Sequence, residues 1–152
     1  MKSHIQMPKC VFKEFAKDNN GFYKYNIQNG IINRGFPKST FTEEGYYSET
    51  MEKMLNRFVE TPLKKLLDFA RELPTQSLPI VLDGEIKDIA LVFVKSLIAR
   101  SPTLYSAVQK NSFFFQFAST QNQHDIIVNY AMREKKMEEL FDKFDISFMI
   151  NE

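Results

Sequence analysis

The sequence predicts a mainly α fold, a bundle of about five helices with a small N-terminal β-hairpin (α+β). Three observations carry this. Apolar residues recur at three- and four-residue steps from Ser48 onward. Before Ser48, turn residues are dense and one stretch alternates with a period of two. The 152 residues, 43% of them hydrophobic, suffice for one domain with its own core. The expected division is an N-terminal segment 1–47 with the hairpin, a helical bundle 48–144, and a short terminal strand or tail 145–152.

In the first segment, "PKCVFKEF" (8–15) suits one or two helical turns, with Pro8 at the first position. "DNNG" and "QNG" flank "FYKYNI". There Tyr23, Tyr25 and Ile27 alternate with Lys24 and Asn26, as in a strand that buries the aromatic side. Asn29-Gly30 predicts a type I′ turn, because both residues tolerate positive φ. "IINRGF" is the return strand. A two-stranded hairpin is marginal alone, so it is expected to lie on the helices.

Ser48 is a ready N-cap, and Glu49 and Glu52 suit the positive end of a helix dipole. The stripe runs through Met51, Met54, Leu55, Phe58 and Val59. Thr61-Pro62 predicts a kink or a fresh start, since proline lacks a donor and clashes with the preceding turn. Leu63, Leu66, Leu67 and Ala70 continue the stripe, and "LPTQSLP" (73–79) is expected to be a loop. "DGEIKDIALVFVKSLIARSP" is the most apolar segment. Its wide face (Ile86, Ile89, Ala90, Phe93, Leu97, Ile98) predicts a central helix ending at Ser101-Pro102. Two helices follow, in "TLYSAVQKNSFFFQFAST" and "HDIIVNYAMREKKMEELFDKF". "DISFMI" favours a strand.

Composition narrows the functions. Twenty basic against nineteen acidic residues, net +1, disfavour a general polyanion binder, so nucleic acid is not the expected partner. A lone cysteine, Cys10, fits a reducing, cytoplasmic location. No signal peptide and no membrane-spanning run are found. No cofactor is expected, for Gly-rich phosphate fingerprints are missing. Two histidines and one cysteine without ligand spacing argue against a metal site. No G-x-S-x-G elbow supports a nucleophilic triad.

Four residues are weak catalytic candidates. His4 has acid–base chemistry near neutrality, or else anchors the N-terminus through a hydrogen bond. Glu52 and Glu60, eight residues apart, can share one helix face as a metal-binding or acid–base pair, though exposed helix glutamates are commoner. Arg100, in "ARSP", suits a helix C-terminus or a buried pair with Glu52 or Glu60, and can alternatively clamp a phosphate. "NSFFFQF" is the other anomaly. Three consecutive phenylalanines span about 200° of a helix, so they need cover on two sides or a partner. Phe113, Phe114, Phe115 and Phe117 are therefore the expected interaction residues.

His-x-x-x-Pro before an aromatic step to Phe15, the hairpin, "FTEEGYYS", the helix bearing Glu52 and Glu60, and "ARSP" together resemble a bacterial domain-of-unknown-function family, number 4238. The resemblance covers roughly Ser3 to Pro102, with the proline one residue farther from the histidine than the family places it. It implies a β-rich C-terminal part with a Ser-Asp-x-Pro motif, of which "FDISFMI" looks like the first strand and the remainder is lacking. It implies no established reaction, and a setting in bacteria and mobile elements. The reading from residues and resemblance together is a non-catalytic protein-interaction module that binds a protein partner or itself. A phage-borne chain acting on a host defence protein is one such use. The alternative is a nucleic-acid or nucleotide hydrolase using His4, Glu52, Glu60 and Arg100.

Overall fold

Two long helical rods lie side by side and carry most of the buried apolar side chains. The computed structural model describes residues 2–4, 7–16, 21–73, 76–111, 119–135, 139 and 147–150. Its helices are α1 (Lys9–Glu14), α2 (Glu49–Leu55), α3 (Thr61–Glu72), α4 (Gly84–Ala99), α5 (Pro102–Asn111) and α6 (Thr120–Arg133). A π-turn over Asn56–Glu60 joins α2 to α3 without a break, so these form one rod. The strands are β1 (Lys2–His4), β2 (Phe22–Tyr25), β3 (Ile32–Gly35), β4 (Thr42–Glu44), β5 (Gln76–Val81) and β6 (Ser147–Ile150). They pair antiparallel as β1–β4, β2–β3 and β5–β6. The fold is mainly α with a small N-terminal hairpin, as the sequence predicts.

Ser48 starts the first rod as an N-cap: the Met51 amide donates to its hydroxyl at 3.2 Å. Thr61-Pro62 does not restart the helix, whose backbone stays helical through it. Instead the Thr61 amide donates to the Asn56 carbonyl, five residues back. The wider turn absorbs, just ahead of Pro62, the disruption that the ring and missing donor cause in a regular ladder. The cost falls on the stripe: Phe58, expected inside, is 53% exposed, with the Arg57 guanidinium over its ring at 5.2 Å.

Rod and α4 run antiparallel. Met51, Leu55 and Val59 bury with Ala99 and, from α6, Val128 and Ala131. Farther along, Leu63 and Leu66 bury with Ile89, Ala90 and Leu82. α4 is central as expected, but Ile98 turns outward at 40% exposure. Lys95 and Ser96 are buried, although no sequence pattern points to it. α6 begins a turn before the predicted His124, because Ser119 caps it by accepting from the Asn122 amide.

Three strand expectations change. Residues 73–79 are not all loop: β5 starts at Gln76, with an irregular register across Pro79, which has no amide to donate. The hairpin buries the opposite face. Tyr23, Tyr25 and Ile27 point outward, while Phe22 stacks on Phe12 of α1 with ring centroids 5.4 Å apart. Gly35 permits this face, since a Cβ there would lie 2.9 Å from the Phe22 ring. The turn is a longer loop: Gly30 alone takes positive φ, at 70°, and its amide donates to the Asn26 carbonyl.

Leu63 is 1% exposed between the two rods. Leu63→Ala should lower the unfolding free energy by about 2–5 kcal/mol. The midpoint of urea unfolding, followed by circular dichroism, should fall accordingly.

Candidate functional site

The π-turn decides where the two glutamates point. At about 100° per residue, positions eight apart on a regular helix differ by about 80°. One residue absorbed by the wider turn leaves seven to wind, and the difference shrinks to about 20°. Glu60 therefore lies below Glu52 on nearly the same line, facing the end of α4. There Arg100 ends the helix, its amide donating to the Ser96 carbonyl at 3.0 Å. Its cation suits the negative end of the α4 dipole.

Arg100 Nη2 lies 3.7 Å from Glu60 Oε1, an ion pair longer than a hydrogen bond. The Arg100 side chain is 1% exposed and that of Glu60 25%. Burial pushes the Glu60 carboxyl above the usual range; Arg100 pulls it back, and the like charge of Glu52 pushes it up again. Glu52 Oε1 is buried with no hydrogen-bond partner among the described residues. Tyr47 is buried beside this group. Its phenol is raised by burial, an effect that the Arg100 charge opposes. The half-buried Cys10 thiol is raised as well, first by burial and then by Glu60. Glu52, Glu60, Arg100, Tyr47 and Cys10 thus share one electrostatic neighbourhood. A carboxyl raised in this way holds its proton to a higher pH than a free one does. A substrate must still reach it: Glu60, Glu52 and Cys10 are each partly exposed, whereas Arg100 and Tyr47 are sealed.

The second feature is an aromatic clamp that sequence reasoning missed. His124 of α6 is stacked between Tyr46 and Tyr105, with centroids 3.7 and 4.2 Å away. Tyr105 donates its hydroxyl to Gln123 Oε1 at 2.7 Å. Gln121 Nε2 donates to the carbonyls of Gly45 and Tyr47, at 3.0 and 2.9 Å. Asp125 Oδ1 accepts the Ser48 amide at 3.1 Å. The "GYYS" turn is thereby fastened to the first turn of α6, more than seventy residues downstream. The repeated tyrosines before a helix cap were the available signal, but nothing local named their partner. Burial holds the His124 imidazole below its usual pKa, with Asp125 acting the other way.

Of the residues the sequence singled out, Glu52, Glu60 and Arg100 are brought together. His4 is described only by its backbone pairing with Thr42, at the start of the strand that leads into the clamp. Phe113, Phe114, Phe115 and Phe117 lie outside the described residues. No group of three or more metal-ligating side chains occurs among the described residues, and no helix searched there is long and apolar enough to cross a membrane.

An apolar groove of about 420 Å³ opens where the end of α4 meets α5 and α6. Ile98, Leu104, Val108, Ile126, Ile127 and Tyr130 line it. Ile126 is 50% exposed and Tyr130 70%, so the groove is open from the α6 side.

The sequence model of a family described as proteins of unknown function, DUF4238, matches residues 6–149, and the chain belongs to that family. The match continues well past Pro102, through α5, α6 and most of β6. No curated protein and no solved structure matches the chain.

The clamp predicts a pH dependence. His124 has a depressed pKa in the folded chain. Above the unfolded value of about 6.5, both states are neutral there and pH has no effect through this group. Below it the unfolded chain takes up the proton first, so stability falls as the pH drops toward the folded pKa. His124→Phe, which keeps a stacked ring and removes the titration, should flatten the loss of stability between pH 7 and 5. Urea unfolding of both proteins across that range measures the difference.

Proposed function

Within the DUF4238 family, we propose that this chain is a non-catalytic module that binds a protein partner, and that the groove of α4, α5 and α6 receives it. The observation that carries the reading is the groove lining: apolar side chains throughout, with the Tyr130 hydroxyl and Glu134 at its rim, 3.2 Å apart. Such a surface suits the apolar stripe of an amphipathic helix, with the polar rim fixing orientation. The phenylalanine-rich stretch 112–118 lies in the chain between the two helices that line the groove, which adds apolar character to the same part of the sequence. A host defence protein, met by a phage-borne chain, is the class of partner that the family resemblance suggests. Supporting the non-catalytic half is Arg100, whose buried guanidinium is out of reach of a substrate phosphate that would need contact at about 3 Å.

The alternative is a nucleic-acid or nucleotide hydrolase using His4, Glu52, Glu60 and Arg100. One observation favours it: the π-turn aligns the two glutamates with the arginine, and such turns are frequent at functional sites. Sealed burial of the arginine weighs more.

The test is cross-linking in the native cell followed by mass spectrometry, with light scattering on the purified chain. α6 around Ile126 and Tyr130 should cross-link to another polypeptide, and Ile126→Asp should abolish this without unfolding the chain. Light scattering separates a second copy from a foreign partner. A monomer at all concentrations with no cross-linked partner would count against the proposal. So would metal-dependent cleavage of an oligonucleotide that disappears in Glu60→Gln.

A further inference from the structure

The hairpin has a property that the whole-chain charge conceals. From Asn19 to Thr42 the sequence holds Lys24, Arg34 and Lys38 and no acidic residue, although acids and bases nearly balance overall. The outer face of β2–β3 places Tyr23 directly across from Arg34, and Tyr25 across from Ile32. Tyr23 is 80% exposed and Tyr25 64%. The strip continues through Phe36, over whose ring the Arg34 guanidinium sits at 5.7 Å. Phe36 in turn walls an open groove of about 490 Å³ with Lys9, Lys13 and Lys38. Glu14, the acid on α1, is held in a two-pronged pair by Arg71, so its charge is already answered. The result is one surface with two exposed tyrosine rings at one end and three lysines at the other, bridged by Arg34 stacked on Phe36.

We propose that this strip binds a single-stranded polynucleotide, the bases stacking on Tyr23 and Tyr25 and the phosphates running through the lysine groove past Phe36. Flat rings that stand exposed beside cations match what an unpaired strand presents: open base faces and a regular line of negative charge. A duplex hides its base faces and would use the lysines alone. An acidic polypeptide would satisfy the lysines and leave the tyrosines idle. The proposal goes beyond the protein-binding reading and uses different elements, α1 and the hairpin instead of α4–α6.

The experiment is fluorescence anisotropy with a labelled 20-nucleotide thymidine strand, at several salt concentrations. Binding should weaken with salt at a log–log slope of about −2, as expected for some three phosphates at about 0.7 each. A duplex of equal length should bind at least about tenfold more weakly, since stacking on exposed rings is lost. Tyr23→Ala with Tyr25→Ala should weaken strand binding by about tenfold or more at an unchanged salt slope. Lys13→Ala with Lys38→Ala should flatten the slope instead. Both pairs are surface changes, and an unaltered thermal transition confirms that each variant is folded. No binding of the strand at low salt overturns the proposal. So does equal affinity for strand and duplex with no effect of the tyrosine changes. Displacement of the strand by polyglutamate at comparable affinity, again indifferent to the tyrosines, reassigns the surface to an acidic polypeptide.

Discussion

The buried charge at the end of α4 constrains the remainder of the fold. An arginine with a sealed side chain costs several kcal/mol to desolvate unless a counter-charge meets it. Glu60 meets it only because the chain takes a π-turn over Asn56–Glu60. That turn in turn lets Pro62 stand in a continuous rod. One local distortion therefore does three things: it tolerates the proline, aligns the glutamates, and sets the register between the rod and α4. The apolar contacts on either side, Leu55 and Val59 with Ala99, Leu63 and Leu66 with Ile89 and Ala90, lie in clusters that flank this point. They supply the burial energy; the charged group makes one antiparallel alignment better than its neighbours.

The N-terminal strands are accessories to this helical frame, and aromatic contacts attach the hairpin and the approaches to and from β4. Phe12 of α1 stacks on both Phe22 and Phe41, which holds the hairpin and the approach to β4 against one short helix. Tyr46 and Tyr105 enclose His124, and the backbone of the same turn is fastened by Gln121 and Asp125. Much of the aromatic content is thus used to join segments distant in sequence. What is left outward, on the hairpin and in the α4–α6 groove, is where interaction is proposed.

The helical frame was legible because helices announce themselves locally: Ser48 as a cap, the three- and four-residue steps of the rod, the apolar run of α4. Arg100 paired with Glu60 was legible too, from a cation at a helix end and a carboxylate near a break. The hairpin face was not. Phe22 and Lys24 alternate with Tyr23 and Tyr25, so both faces carry aromatics, and the choice was made by Phe12, ten residues away. β5 was hidden by Pro79, which reads as loop yet sits in an irregular two-stranded pair. The π-turn has no propensity signal of its own; Pro62 marked only that something had to give. His124 lacked any short spacing to its partners, because Tyr46 is more than seventy residues away and Tyr105 lies on another helix, which leaves no local pattern.

Arg100 and Glu60 are expected to act as a unit, which a double-mutant cycle measures. Arg100→Met should destabilise by about 3–5 kcal/mol, because it strands partly buried carboxylates without their counter-charge. Combining it with Glu60→Gln should recover part of that loss, giving a coupling of about 1–3 kcal/mol, moderated by water at the open side of Glu60. If the two changes add to within about 0.5 kcal/mol, the charges do not act together, and the alignment of rod and α4 must rest on apolar packing alone.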